Sequence, residues 1–115
     1  MNKEILKKIM EISSFPLISI GIIGKAYLRN DAIKIVSLAR QNIVPVLGGD
    51  VYYKSKFDND IHITYDNWYC NREEMESLKD YVDRSCDVAE HYIINYNCKK
   101  GVNPIFNIVL AEEWL

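Results

Sequence analysis

Cys70, His62 and Asp66 are the residues of this chain whose types could combine into a reaction, with a thiol to attack, an imidazole to take its proton and a carboxylate to orient the imidazole. His62 and Asp66 share a parity on one extended run and lie about 13 Å apart at ~3.3 Å per residue, so one site could use both only if the strand bent sharply. They read as structural or surface residues. Metal chemistry has less to work with, since His62 and His91 are isolated, no cysteine pair has ligand spacing and no comb of carboxylates forms a calcium loop. Gly48-Gly49 lacks the further glycine, the lysine and the following helix of a phosphate loop. Glu73, Glu74 and Glu76 could be an acid–base pair, but in the first turn of a helix carboxylates serve the positive end of the macrodipole. No enzyme activity, no cofactor and no metal are expected.

The concentration of aromatic and acidic residues between Asp50 and Cys70 is more informative. Tyr52, Tyr53, Phe57, Tyr65, Trp68 and Tyr69 stand among Asp50, Asp58, Asp60 and Asp66. Rigid rings with a polar tip make good interface anchors, and carboxylates beside them select a basic counterpart. Asp50, Tyr52, Asp66, Trp68 and Tyr69 are the expected contact residues for a partner protein. The alternative use, with Tyr65 and Trp68 in the core and the aspartates forming turns, stays open at this level.

Composition sets the frame for that surface. The 115 residues suit one domain, 1–115, and the 49% apolar and 26% charged content is that of a chain that folds unaided. A net charge of −2 offers no basic field for nucleic acid. The start, Met1 to Lys8, mixes charges with apolar residues at helical spacing, unlike a signal peptide, and no stretch reaches the length of a membrane span. Cys70, Cys86 and Cys98 are an odd, widely spaced set, read as free thiols in a reducing cytoplasm.

The elements that must position these residues follow from periodicity. Ile5, Leu6, Ile9 and Met10 share a face of a short first helix that ends before Ser13-Ser14-Phe15-Pro16. An irregular or extended stretch runs through Leu17 to Leu28, punctuated by Gly21 and Gly24. A second helix starts at an Asn30 or Asp31 cap, buries Ala32, Ile35, Val36 and Ala39, and ends near Gln41 with Asn42 suited to a left-handed cap. Ile43 to Leu47 reads as a strand start or an edge because of Pro45, Gly48-Gly49 as a bulge or bend, and Asp50 to Tyr53 as the continuation. A polar turn, Lys54 to Asn59, leads to a strand in which Ile61, Ile63 and Tyr65 alternate with His62, Thr64 and Asp66. Asn67 to Cys70 then leaves the sheet. Asn71 with Glu74 resembles a capping box for the longest helix, from about Arg72 to Asn95, whose inner side carries Leu78, Tyr81, Val82, Ser85, Ala89, Tyr92 and Tyr96. Ile105 to Leu110 is a last strand after a turn at Gly101 to Pro104, and Ala111 to Leu115 a surface tail. The fold class is α+β, a small, mostly antiparallel sheet packed on one side by about three helices.

Gly48-Gly49-Asp50-Val51-Tyr52, Thr64-Tyr65-Asp66-Asn67-Trp68-Tyr69-Cys70, and Ser77 with Tyr81-Val82 and Arg84-Ser85 carry a family likeness. In these strings the chain resembles the immunity protein 40 family of bacterial polymorphic toxin systems, from the first helix to the long one and most weakly after Asn97. The resemblance implies a small cytoplasmic protein that neutralises a cognate toxin C-terminal domain in producer and sibling cells, with no reaction of its own. It transfers no contact residues. Neither nucleic acid nor membrane is an expected partner, and the chain itself is expected to be a monomer or a weak homodimer. The other reading is a small structural or adaptor subunit acting through an oligomeric interface, with Val44 to Leu47 as an exposed edge.

Overall fold

A chain of alternating apolar and polar runs must bury one face of each run, and here they converge on the two faces of one sheet. The computed structural model describes residues 3–98 and 102–111, which contain three α-helices and a five-stranded antiparallel sheet, the expected α+β class. The helices are α1 (Lys3–Met10), α2 (Arg29–Gln41) and α3 (Leu78–Asn95). The strands are β1 (Phe15–Pro16), β2 (Lys25–Leu28), β3 (Val46–Ser55), β4 (Ile61–Tyr69) and β5 (Val102–Leu110), in the order β1-β2-β5-β3-β4. The last strand thus enters between β2 and β3, which α2 connects, and its pairing with β3 runs from Val46↔Leu110 to Ser55↔Val102.

All three helices pack on one face of this sheet. Ile5 of α1, the α2 stripe Ala32, Ile35, Val36 and Ala39, and Val82, Cys86, Ala89 and Ile93 of α3 close over Tyr27, Val46, Val51, Trp68 and Phe106. The α2 stripe is the one the 3.6-residue period marks. In α1 the same period overreaches, because Met10 is 75% exposed and the helix is held through Ile5 and Ile9. On the opposite face a smaller cluster forms where the 3-10 turn at Ile18–Ile20 and its flanks fold over the sheet, burying Leu17, Ala26, Tyr52 and Ile105. Among the described residues, none covers the half of that face nearest Gly48.

Several boundaries differ from the sequence expectation. The α2 cap position is Leu28, with no side-chain cap. What holds this end is tertiary, because the Arg29 guanidinium donates to the α3 carbonyls of Ile93 and Ile94 and, at 2.9 Å, to that of Tyr96. That places a cation where the helix dipole is negative. At the other end the left-handed residue is Ile43 (φ 56), one beyond Asn42, and Val44 N–H reaches back to Ala39 O at 2.9 Å in a Schellman closure. The α3 helix opens at Ser77, whose Oγ accepts from Asp80 N–H at 3.1 Å, and Asn71 lies in the loop before it. Pro104 lies within β5, where a turn was expected. The expected tail lies outside the described residues except Ala111, which is buried.

The strand made of Val46 onward is no edge, since β5 flanks it on one side and β4 on the other. Leu47 O accepts Cys70 N–H at 2.9 Å and Pro45 O accepts Ala111 N–H at 3.2 Å, so this stretch is engaged from both sides and is not the exposed edge that was expected. Its first N–H, on Val46, is satisfied by Ser85 Oγ of α3 at 3.1 Å. The expected bulge is present, as a register shift against β5 between Val46 and Gly48.

Trp68 stays in the sheet, opposite Gly49, and does not leave it as its sequence suggested. A Cβ on Gly49 would lie 2.4 Å from the indole and 2.1 Å from Asn107 O, so only glycine lets the ring lie flat over the strand. Gly49→Ala is therefore expected to lower stability by roughly 1–3 kcal/mol, the usual cost of overpacking, read as a fall in the urea unfolding midpoint. An unchanged midpoint would show that the ring does not depend on this gap.

Candidate functional site

Side chains alternate across a strand, so the burial of Trp68 dictates what its neighbours do. Trp68 is 7% exposed and stacks on Tyr92 of α3, with ring centroids 4.9 Å apart. The aromatic row continues through Tyr92–Tyr96 at 5.8 Å to an edge-on contact of Tyr96 with Phe106. With Trp68 turned toward the helices, Asn67 and Tyr69 face the other way. Tyr69 is 73% exposed. Across the sheet Tyr69 and Val109 flank Gly48, and Asn67 and Asn107 flank Asp50. These two rows are the uncovered half of the helix-free face.

Of the five expected contact residues, Asp50 and Tyr69 lie together on this open half. Tyr52 and Trp68 do not belong to it as surface, since Tyr52 is 6% exposed beneath the 3-10 turn and Trp68 lies under α3. Both are large rings whose apolar area is worth more in the core than at a rim. Asp66 is exposed, but Tyr96 O–H donates to its carboxylate at 2.6 Å. Burial first, and that bond second, push the Tyr96 phenol up to about 12.

Sequence periodicity groups Tyr65 with Ile61 and Ile63 and leaves open whether it serves the core or a surface; the structure puts it at the surface. Between Asp50↔Asn67 and Tyr52↔Ile63 the register gains two residues on β4, a bulge in which Thr64 Oγ1 donates to Val51 O at 2.7 Å and accepts Asp66 N–H at 3.0 Å. Tyr65 is thrown outward, 84% exposed, at φ 67. A bulky residue in left-handed backbone is uncommon and is held there by its surroundings. The Thr-x-Asp spacing, with a hydroxyl able to bridge the bulge, was the available signal.

The groups that could have formed a reaction centre are each engaged elsewhere. His62 bonds Asp58 at 2.9 Å and stacks on Tyr53, while Asp66 is taken by Tyr96. Burial pushes the Cys70 thiol up, against the pull of Arg84, which donates to Sγ at 3.1 Å. Such a thiol is a poor nucleophile. The described residues include no group of three or more His, Cys, Asp or Glu that could hold a metal ion, and among them no helix is long and apolar enough to cross a membrane. The three cysteines are unpaired.

Arg84 organises the loop after β4. It forms a two-pronged pair with Glu76, at 2.7 and 2.8 Å, and donates to Asn71 O at 2.7 Å, while Tyr81 O–H donates to Cys70 O at 2.7 Å. Glu73 sits 3.8 Å from the same guanidinium. Glu73 and Glu76 thus serve this clamp, before the helix starts, and were misassigned to its first turn. The clamp fixes the backbone immediately beyond Tyr69.

A family model described as Immunity protein 40 matches residues 16–110, from β1 to the end of β5. No curated protein and no solved structure matches the chain.

The Arg84 bond, aided by the Glu73 N–H, holds the Glu76 carboxyl down at about 2, below its ordinary 4.5. A depressed carboxyl stabilises the fold above the unfolded value and loses that contribution as pH falls through the folded one. Glu76→Gln should therefore unfold at lower urea than the wild type at neutral pH, with the gap closing between pH 4.5 and about 2. A gap that persists at the acid end would contradict the pairing.

Proposed function

We propose, since the chain belongs to the immunity protein 40 family, that it neutralises a cognate bacterial toxin domain in the cytoplasm by binding it and covering surface the toxin needs. The family membership carries the reading. The contact surface in this proposal is the open half of the helix-free face with the β4 bulge, built on Asp50, Asp66 and Tyr69 and extended by Tyr65, with Tyr52 and Trp68 supporting it from within.

Three features support that surface. Tyr65 and Tyr69 are large rings held out in water, 84% and 73% exposed, on a strand whose backbone is fixed by the bulge and by the clamp. Such preorganised aromatic groups bury area at low entropic cost and slow dissociation. Carboxylates beside them speed encounter with a basic partner. An inhibitor that must act before its toxin does damage needs both.

The test is co-expression with a candidate toxin domain taken from the open reading frame next to the gene for this chain. The wild type should restore growth and co-purify with the toxin in equal amounts. Changing Tyr65 and Tyr69 together to alanine should weaken binding about 100-fold or more, while alanines at Asp87 and His91, exposed on the back of α3, leave it unchanged. Growth arrest unaffected by the wild-type chain would sink the inhibitory reading. Inhibition lost through α3 instead would move the surface to the helices.

A further inference from the structure

Glycine at the centre of a face of larger residues leaves a notch, and an exposed carboxylate beside such a notch, between aromatic rings, offers a partner's cation both charge and a surface to lie on. Two shallow depressions, of about 240 and 170 Å³, lie on the open half of the sheet face. The larger sits over Gly48 between Tyr69, Leu47 and Val109; the smaller is walled by Tyr65 and Ile63. Asp50 and Asn67, paired across the strands, line both and form the ridge between them. Asp58 and Asp66 are held by His62 and Tyr96, whereas the carboxylates of Asp50, on the sheet face, and of Asp60, in the turn away from it, have no hydrogen bond or ion pair among the described residues.

We propose that this ridge receives one arginine side chain of the partner, its guanidinium on the Asp50 carboxylate and its plane flanked by the rings of Tyr65 and Tyr69. The proposal rests on the inhibitory reading above and adds the chemistry of its central contact. Arginine fits better than lysine because a planar fork can meet a carboxylate with two N–H groups while its faces lie against aromatic rings. Asn67, across the strand from Asp50, offers a side-chain carbonyl to a remaining N–H. A phosphate or a carboxylate ligand would meet an uncompensated negative charge here.

The backbone of Tyr65 gives the proposal a second handle. At φ 67 a tyrosine is held against its preference, and with 84% of it exposed, little burial offsets the strain. Glycine has no such preference. If the ring is kept there for the partner, Tyr65→Gly raises the unfolding midpoint of the free chain and weakens binding at the same time, an outcome that misfolding cannot imitate.

Calorimetry with the same candidate toxin domain, purified, at two salt concentrations, tests the contact. Asp50→Asn should weaken binding roughly 30-fold or more and flatten its salt dependence. Asp60→Asn makes the same charge change at another exposed position of the hairpin and should stay within about twofold, since charges outside the contact are screened. Tyr65→Gly should lose roughly tenfold in affinity. If the wild type binds but Asp50→Asn binds equally well, or if both aspartate variants lose equally, the arginine contact is wrong and the inhibitory reading stands. If Tyr65→Gly keeps full affinity, the flanking role of that ring is wrong. If the wild type does not bind, the inhibitory reading itself fails and takes this contact with it.

Discussion

The indole of Trp68, lying over the bare backbone of Gly49 and beneath Tyr92, is the contact on which the rest of the molecule depends. It joins β4, which among the described residues pairs with β3 alone, to α3 and so to the core. Because strand side chains alternate, seating Trp68 inward fixes Asn67 and Tyr69 outward, and a slip of one residue would exchange the two sets. The glycine is as necessary as the tryptophan. A side chain at Gly49 would meet both the ring and Asn107 O. The same sheet position thus sets the stability of the core and the content of the outer face.

Two local devices hold that outer face still. On the near side, the bulge at Thr64 to Asp66 turns Tyr65 outward and breaks the outer edge of β4, which also makes edge-to-edge pairing with another copy harder. On the far side, Arg84 draws Glu76, Asn71 and Cys70 together so that the chain leaves β4 along one path. The bulge adds little stability alone, since single hydrogen bonds contribute modestly, whereas the part-buried, two-pronged Arg84–Glu76 pair also steadies the fold. In the proposed role their effect is preorganisation, which a binding surface built on two exposed tyrosines and a carboxylate would require.

Regular periodicity carried the parts of the fold that are governed locally. The α2 stripe at Ala32, Ile35, Val36 and Ala39 and the β3–β4 hairpin were legible because each residue's environment follows from its own element. What failed depends on partners far along the chain. Pro45 suggested an edge, but β5, which follows some fifty residues later, makes β3 interior. Asn71-x-x-Glu74 and Ser77-x-x-Asp80 both look like helix starts; the structure uses the second, with Met75 in left-handed backbone and Glu76 drawn to Arg84 before it. At the site, Asp50 and Tyr69 were legible as exposed polar and aromatic residues, whereas Trp68 and Tyr52 were placed outside because composition says nothing about which ring faces the helices. For Tyr65 the choice between surface and core stays open in the sequence, because a two-residue bulge leaves a period of two unchanged.

Hydrogen exchange of the chain alone and in complex with its toxin domain tests most directly that the open sheet face is the inhibitory surface. Exchange should slow on binding at residues 47–51 and 63–70, with α2 and α3 unchanged. Protection confined to the exposed backs of α2 or α3, with β4 exchanging as in the free chain, would contradict it.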